Sequence, residues 1–224
     1  MIPQAEQVVN LHDDCLALAP WPNEVAEADL QGLLARQPGD PTLWHWMLAN
    51  HRFNSRLWAE EDLARRTRVA DSEIAANKRA IDGFNQARND ATERIDELLL
   101  LALGLVEPAS ARSDAPVSTV PAGARLNSET AGSMIDRLSI MALKAHAMRQ
   151  QTERADADEA HLASSRAKLQ RLLQQRADLA GCLDALLADA QAGRAYFKVY
   201  RQFKMYNDPR FNPVLVSERN AARG

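Results

Sequence analysis

Residues 78–96 read KRAIDGFNQARNDATERID, and winding them at about 100° per residue produces one amphipathic helix. One broad side of this helix and its continuation is apolar and must be buried, with Ile74, Ile81, Phe84, Ala91, Ile95 and Leu98. The opposite side gathers polar residues in a band about 60° wide, namely Asp82, Asn89, Glu93 and Asp96, flanked by Asn85 and Gln86. Such a band is either a solvated surface or a row of ligands for a metal or a polar substrate.

The remainder of the chain is also dominated by helical signals. Apolar residues recur at three- and four-residue steps in four long segments, at 41–66, 71–103, 127–148 and 156–192. No useful length alternates apolar and polar residues at period two, as a half-buried strand would. The sequence therefore predicts an all-α fold, an antiparallel bundle of four or more long helices with no sheet.

The length of the chain indicates its domain organisation. A chain of 224 residues most economically forms one domain with a sizeable core. We expect an N-terminal extension with a first short helix at 1–40, a single helical bundle at 41–213 and a flexible tail at 214–224. Residues 106–126 contain three prolines among Ser, Ala and Thr, which predicts a mobile loop within the bundle.

Composition and charge argue against several classes of protein. Hydrophobic residues make up 46% of the chain and charged residues 25%, as in ordinary globular proteins. The formal net charge of -3 does not favour nucleic acid as a partner. Cys15 and Cys182 are too few for a disulfide framework. We expect a cytoplasmic protein without membrane contact, because neither a signal peptide nor an apolar run of about 20 residues is visible.

Several long motifs resemble a known family. They are NSRLWAEEDLAR at 54–65, the segment 78–96, ETAGSMIDRLSI at 129–140, then Lys144 and His146, and finally YRQFKMYNDP at 200–209 with Asn212 and Pro213. In this order they resemble bacterial domain-of-unknown-function family 4254, over about residues 43–213 without the loop after Val106. Ala59 stands where the family pattern has His, and Ala131 where it has Pro. The resemblance implies a compact helical protein, associated in some relatives with cell-surface sugar synthesis, and implies no established reaction.

Carboxylates on two neighbouring helices suggest Mg²⁺-assisted phosphate chemistry. Glu93 and Asp96 lie one turn apart, and Asp90 precedes them by a further turn. Glu61 and Asp62 belong to the preceding helix, which a short connection brings back antiparallel. Oxygen ligands of this kind suit Mg²⁺, so the candidate metal ligands are Glu61, Asp62, Glu93 and Asp96. Two other interpretations explain the same pattern: a solvated face with intrahelical ion pairs, and a metal-free site for a polar ligand.

Basic side chains in two later segments suggest a second wall for such a site. Arg137 and Lys144 are two turns apart and share a helix face, and Arg201 and Lys204 follow with aromatic residues interleaved. Such a set can hold a phosphate through charge-assisted hydrogen bonds and stack a ring. The same residues also fit the polar rim of a packed aromatic core.

Two functions from different classes therefore remain open. The first is binding or processing of a phosphorylated or nucleotide-linked small molecule between an acidic and a basic helix, with cell-surface sugar synthesis as a possible setting. Its candidate ligand contacts are Asp90, Glu93, Asp96, Arg137, Lys144, Arg201 and Lys204. The second is a dimeric interaction or adaptor protein without enzymatic activity. A homodimer is expected because the helix at 156–192 carries a leucine stripe over about 55 Å, and no catalytic residue is assigned.

Overall fold

Helices form most of the chain that the computed structural model describes, which comprises residues 1–202 and 209–222. In chain order they are α1 (Ala5–Ala17), α2 (Glu27–Ala35), α3 (Pro41–Leu63), α4 (Asp71–Leu103), α5 (Ala131–Thr152), α6 (Glu159–Gln191) and α7 (Pro213–Ala221). The four longest form two antiparallel hairpins, α3 with α4 and α5 with α6. The prediction of an all-α bundle is confirmed.

Local sequence signals account for where these helices begin and end. Pro41 occupies the first turn of α3, where its missing N–H is not needed, and the Asp40 carboxylate accepts a hydrogen bond from the N–H of Thr42 at 2.8 Å. The hydroxyl of Thr130 caps α5 in the same way. Helix α4 ends at Gly104, whose φ of 68° is a left-handed conformation that glycine adopts without strain.

The hydrophobic core lies where α1 meets the two hairpins. Its fully buried side chains come from five helices and the segment after α6, and include Leu11, Trp44, Met47, Ile95, Leu99, Ile135, Leu138, Leu183 and Phe197. Helix α1, from the segment predicted as an N-terminal extension, contributes Val8, Leu11 and Cys15 to this core. Helix α7 occupies most of the segment predicted as a tail and has no buried residue.

Two short strands join the ends of the second hairpin. Strand β1 (Arg125–Leu126) pairs in parallel with β2 (Ala195–Tyr196), and the N–H of Asn127 donates to the carbonyl of Tyr196 at 2.8 Å. The pairing fastens the end of the 106–126 loop to the chain leaving α6. It was not predicted because two residues leave no periodic pattern, and it does not alter the all-α class. No described helix combines the length and apolar composition needed to cross a bilayer.

Candidate functional site

Polar side chains of the motif segments meet in the buried space between α3, α4 and α5. The side-chain amide of Asn50 donates to the Thr92 hydroxyl at 3.1 Å and to the Asp136 carboxylate at 2.9 Å. The amide of Asn54 donates to the same Asp136 oxygen at 2.8 Å and to the Ser139 hydroxyl at 3.0 Å. Buried polar groups need such partners, so this network holds an α5 carboxylate between amides of α3.

A groove opens between these three helices. Its volume is about 350 Å³, within the range of about 300–1,000 Å³ typical of small-molecule sites. Its polar lining consists of Asn54, Glu61, Asp62, Arg65, Asn85 and Arg88, and its apolar lining of Leu57, Trp58, Ile140 and Leu143. We call it the α3–α4–α5 groove.

Arg88 is the least satisfied charged group of this groove. Its side chain is 25% exposed, and its nearest carboxylate oxygen, on Asp136, lies 3.9 Å from Nη1. One Nη2 hydrogen bond goes to the side chain of Asn89 at 3.0 Å, while the buried Nε has no partner among the described residues. A guanidinium has five N–H donors, so Arg88 keeps donors for a further acceptor.

A second polar cluster joins α4 to the chain after α6. Nη1 of Arg201 lies 2.9 Å from the carboxylate of Glu93 and 2.6 Å from that of Glu97. The other guanidinium nitrogens of Arg201 donate to the carbonyls of Ala111 and Ser113 at 3.0 and 3.1 Å. The predicted meeting of an acidic and a basic segment thus occurs at Glu93 and Arg201. These charges are engaged with each other, in the manner of a structural ion pair.

Asp96, a predicted ligand, is buried and contacts the first turn of α5. Its carboxylate accepts a hydrogen bond from the N–H of Gly132 at 2.6 Å. Burial raises the pKa of the Asp96 carboxyl to about 7, against hydrogen bonds from Thr130 and Gly132 that lower it. A Cβ at Gly132 would lie 2.6 Å from the carbonyl oxygen of Thr92. Asp96 therefore stabilises the close contact between α4 and α5, where it accepts a hydrogen bond from the first turn of α5.

The other predicted contacts are dispersed over the molecule. Asp90 is exposed and accepts a hydrogen bond from Gln86 at 2.6 Å. Arg137 is exposed and pairs with Glu129. Lys144 lines a different groove, between α5 and α6. Lys204 lies outside the described residues. Binding roles for these residues remain predictions.

The four predicted metal ligands are not brought together. Glu60, next to Glu61 and Asp62, accepts a hydrogen bond from Asn77 at 2.7 Å. Position 93 is therefore about 24 Å farther along α4, at 1.5 Å per residue. Glu61 instead forms an ion pair with Arg65 at 3.3 Å. No group of three or more His, Cys, Asp or Glu with metal-binding geometry occurs within residues 1–202 and 209–222.

Sequence reasoning missed the residues nearest the groove's floor. Asn50 and Asn54 are one turn apart on the side of α3 that also buries Leu43 and Met47. Two asparagines one turn apart on an otherwise apolar helix side could have indicated a buried polar network, since buried amides need hydrogen-bond partners. Arg88 lies within the motif at 78–96, but the sequence analysis assigned candidate roles only to the carboxylates of that segment.

Two buried histidines lie beside this network. The ring of His51 stacks on His12 with centroids 4.6 Å apart and on Trp21 at 5.4 Å. Nδ1 of His51 contacts the Ser139 hydroxyl at 2.8 Å. Burial lowers the pKa of His51 to about 3 and that of His12 well below its usual value. Both rings are therefore neutral at physiological pH and pack as core aromatic groups.

The fold and the groove define an all-α bundle protein with a polar groove between three of its helices. The family described as "Protein of unknown function (DUF4254)" matches residues 44–199, and the chain belongs to this family. The match runs from the first turns of α3 past β2 and confirms the resemblance carried by the motifs. No curated protein and no solved structure matches the chain.

Proposed function

We propose that the α3–α4–α5 groove binds an anionic small molecule, a sugar phosphate or a nucleotide-linked sugar, with Arg88 as its principal contact. The observation that carries the proposal is the guanidinium of Arg88. It is largely buried, its carboxylate neighbour is 3.9 Å away, and its Nε lacks a partner in the described part of the chain. Arginine holds phosphate through paired, charge-assisted hydrogen bonds, so a phosphate is the acceptor that best completes its donor set.

The rest of the groove supports a ligand that also carries hydroxyl groups and a ring. Asn54 and Asn85 present side-chain amides, and Glu61 and Asp62 present carboxylates that can accept hydrogen bonds from sugar hydroxyls. Trp58 is 37% exposed at the edge of the groove, where a sugar or a base can stack. The ligand class therefore follows from an anion contact, hydroxyl acceptors and an aromatic surface in one cavity.

The proposed site lies apart from the acidic and basic walls that the sequence predicted. Glu93 and Arg201 are engaged with each other, and Asp96 is occupied by the N-terminus of α5. We also propose that any Mg²⁺ at this site is carried by the phosphates of the ligand. A role in cell-surface sugar synthesis belongs to the same proposal and rests on the family resemblance alone. The proposed cytoplasmic location is supported by two unpaired cysteines, Cys15 and Cys182, since reducing compartments keep thiols free.

Isothermal titration calorimetry with sugar phosphates, nucleoside diphosphates and nucleotide sugars, each with and without Mg²⁺, tests the proposal. At least one ligand should bind the wild type, and Arg88→Gln should weaken its binding by about 10- to 150-fold, since hydrogen bonds to charged groups contribute about 1.5–3 kcal/mol. Arg79→Gln is the matched control, because Arg79 lies on the same helix and is exposed.

The outcome against the proposal is equally specific. If no ligand in the panel produces heat, or if Arg88→Gln binds as tightly as Arg79→Gln, the groove is not the site. Thermal melts of both variants must accompany the titrations, because loss of binding counts only when the fold is retained.

A further inference from the structure

Helices α5 and α6 leave one long groove open along their hairpin, and Trp58 of α3 lines one part of it. Two cavities of about 410 and 680 Å³ lie side by side along it, and both are lined by Lys144 and Gln175. They are therefore parts of one continuous groove, which we call the α5–α6 groove. Its α5 wall extends from Met134 to Gln151, about 26 Å at 1.5 Å per residue.

The residues lining this groove recur with the spacing of a helix–helix seam. On α5 they include Met134, Arg137, Met141, Lys144, Met148 and Gln151. On α6 they include Lys168, Arg171, Gln175, Asp178 and Cys182. Both sets alternate steps of three and four, the period at which helices pack side by side. The shape that fits such a groove is another pair of helices.

Charge is distributed unequally along the α6 wall. Lys168 and Arg171, toward the start of α6, are exposed and form no ion pair with any residue in the described ranges. Asp178 lies farther along the same wall. Arg171 is four positions before Gln175 and Asp178 is three positions after it. A copy packed antiparallel about Gln175 would thus bring Arg171 level with the partner's Asp178, within about 1.5 Å along the axis.

We propose that the α5–α6 groove is a homodimer interface in which two hairpins pack antiparallel, α6 on α6, around a twofold axis near Gln175. Arg171 then pairs with the partner's Asp178, and methionines of the two α5 helices fill the space between them. Lys144 is the like-charged residue near the axis, and its long stem allows the ammonium to reach the rim. A parallel arrangement would instead place the basic ends of both hairpins together, which like charges disfavour.

This interface keeps the expectation of a dimer but places it on the groove side of α6, because Leu183 and Leu186 of the leucine stripe are buried in the core. Leu172 and Met148 line the groove and remain only partly buried in the single chain. An antiparallel partner covers apolar surface that one copy leaves in water. The two grooves share Trp58 and Ile140 as lining residues. The charge pair that tests the dimer is separate from the proposed ligand site, since neither Arg171 nor Asp178 lines the α3–α4–α5 groove.

Sedimentation equilibrium of the full chain at micromolar concentration tests the charge pairing. The wild type should be a dimer, and Arg171→Asp and Asp178→Arg should each raise the dissociation constant by at least about tenfold, because each places like charges level. The double exchange should restore dimerisation. Asp114→Arg is the matched control, since Asp114 is exposed in the 106–126 loop.

Covalent trapping tests the register independently. Lys168 and Cys182 each lie seven positions from Gln175, so Lys168→Cys places a thiol level with Cys182 of the partner subunit. Both positions on one helix are about 21 Å apart, too far for a disulfide within one chain. Mild oxidation should convert this variant to a covalent dimer, and adding Cys182→Ser or using Arg112→Cys instead should abolish that product.

Four results would overturn the proposal. If the wild type sediments as a monomer, the groove is not a homodimer interface, and an acidic helix of another protein becomes the alternative occupant. Single charge reversals that remain dimeric place the interface elsewhere. A double exchange that fails to restore the dimer, or a Lys168→Cys variant that does not cross-link to Cys182, excludes the antiparallel register.

Discussion

Replacing Gly132 by alanine should separate tertiary fit from helix propensity more clearly than any other single change. A Cβ at Gly132 would lie 2.6 Å from the carbonyl oxygen of Thr92 and 2.8 Å from the carboxyl of Asp96. Both neighbours are on α4, so α4 and α5 must move apart. The shift would also lengthen the 2.6 Å hydrogen bond from the Gly132 N–H to Asp96.

The expected loss of stability is about 1–4 kcal/mol. Overpacking a close contact costs about 1–3 kcal/mol, and weakening a hydrogen bond to a buried carboxyl adds about 1 kcal/mol. Alanine recovers at most about 1 kcal/mol through its higher helix propensity. The balance is unfavourable because the clash is with backbone and a buried side chain, neither of which can rotate away.

Urea unfolding followed by circular dichroism measures this effect, and the chain supplies its own controls. Gly83 and Gly181 lie inside α4 and α6, and an added Cβ at either meets nothing within 4 Å. Gly83→Ala and Gly181→Ala should therefore raise the free energy of unfolding by about 0.5–1 kcal/mol each, and with it the urea midpoint, while Gly132→Ala lowers both. A Gly132→Ala protein as stable as the wild type would show that α4 and α5 are not in contact there.

Two further changes test the buried charges. The pKa of Asp96 is raised to about 7 in the folded chain from about 3.9 when unfolded. Protonated Asp96 therefore stabilises the fold below about pH 4, and this contribution is lost as pH rises toward 7, at up to about 1.4 kcal/mol per pH unit. Urea melts of Asp96→Asn should lack this decline relative to the wild type, and parallel pH profiles would contradict the assignment. Arg201→Gln leaves the carboxylate of Glu93, 19% exposed, without its arginine partner, while Glu97 keeps its ion pair with Arg94. Thermal melts should show a loss of about 1.5–3 kcal/mol, and an unchanged midpoint would mean that the ion pair does not form in solution.

The apolar side of α4 was predictable because a helical period is a property of neighbouring residues. Ile81, Ala91 and Ile95 are buried as expected. Asp96 was assigned to the polar band by the same geometry and is nevertheless buried, because the N-terminus of α5 packs against it. That contact joins residues 36 positions apart, and no local pattern encodes it.

The types of residue at the candidate site were predictable from the sequence, but their positions in the fold were less so. The sequence indicated that acidic and basic segments would meet, and Glu93 does contact Arg201. It did not reveal that these charges would be engaged with each other, since partner geometry depends on how helices pack. The groove around Arg88 was missed because its lining residues, such as Asn54, Arg88 and Ile140, come from three separate helices.

The buried amide–carboxylate network also determines how α3 can sit against α5. Sliding α3 by one turn would carry Asn50 to the level of Asn54 and leave one amide without the Asp136 carboxylate. An unpaired buried polar group costs about 1–3 kcal/mol, so the network selects one alignment of the two helices, much as a single buried asparagine fixes the register of a coiled coil. Exchanges at the exposed Glu61 or Asp62 should therefore change the polarity of the groove while the helices beneath keep their alignment.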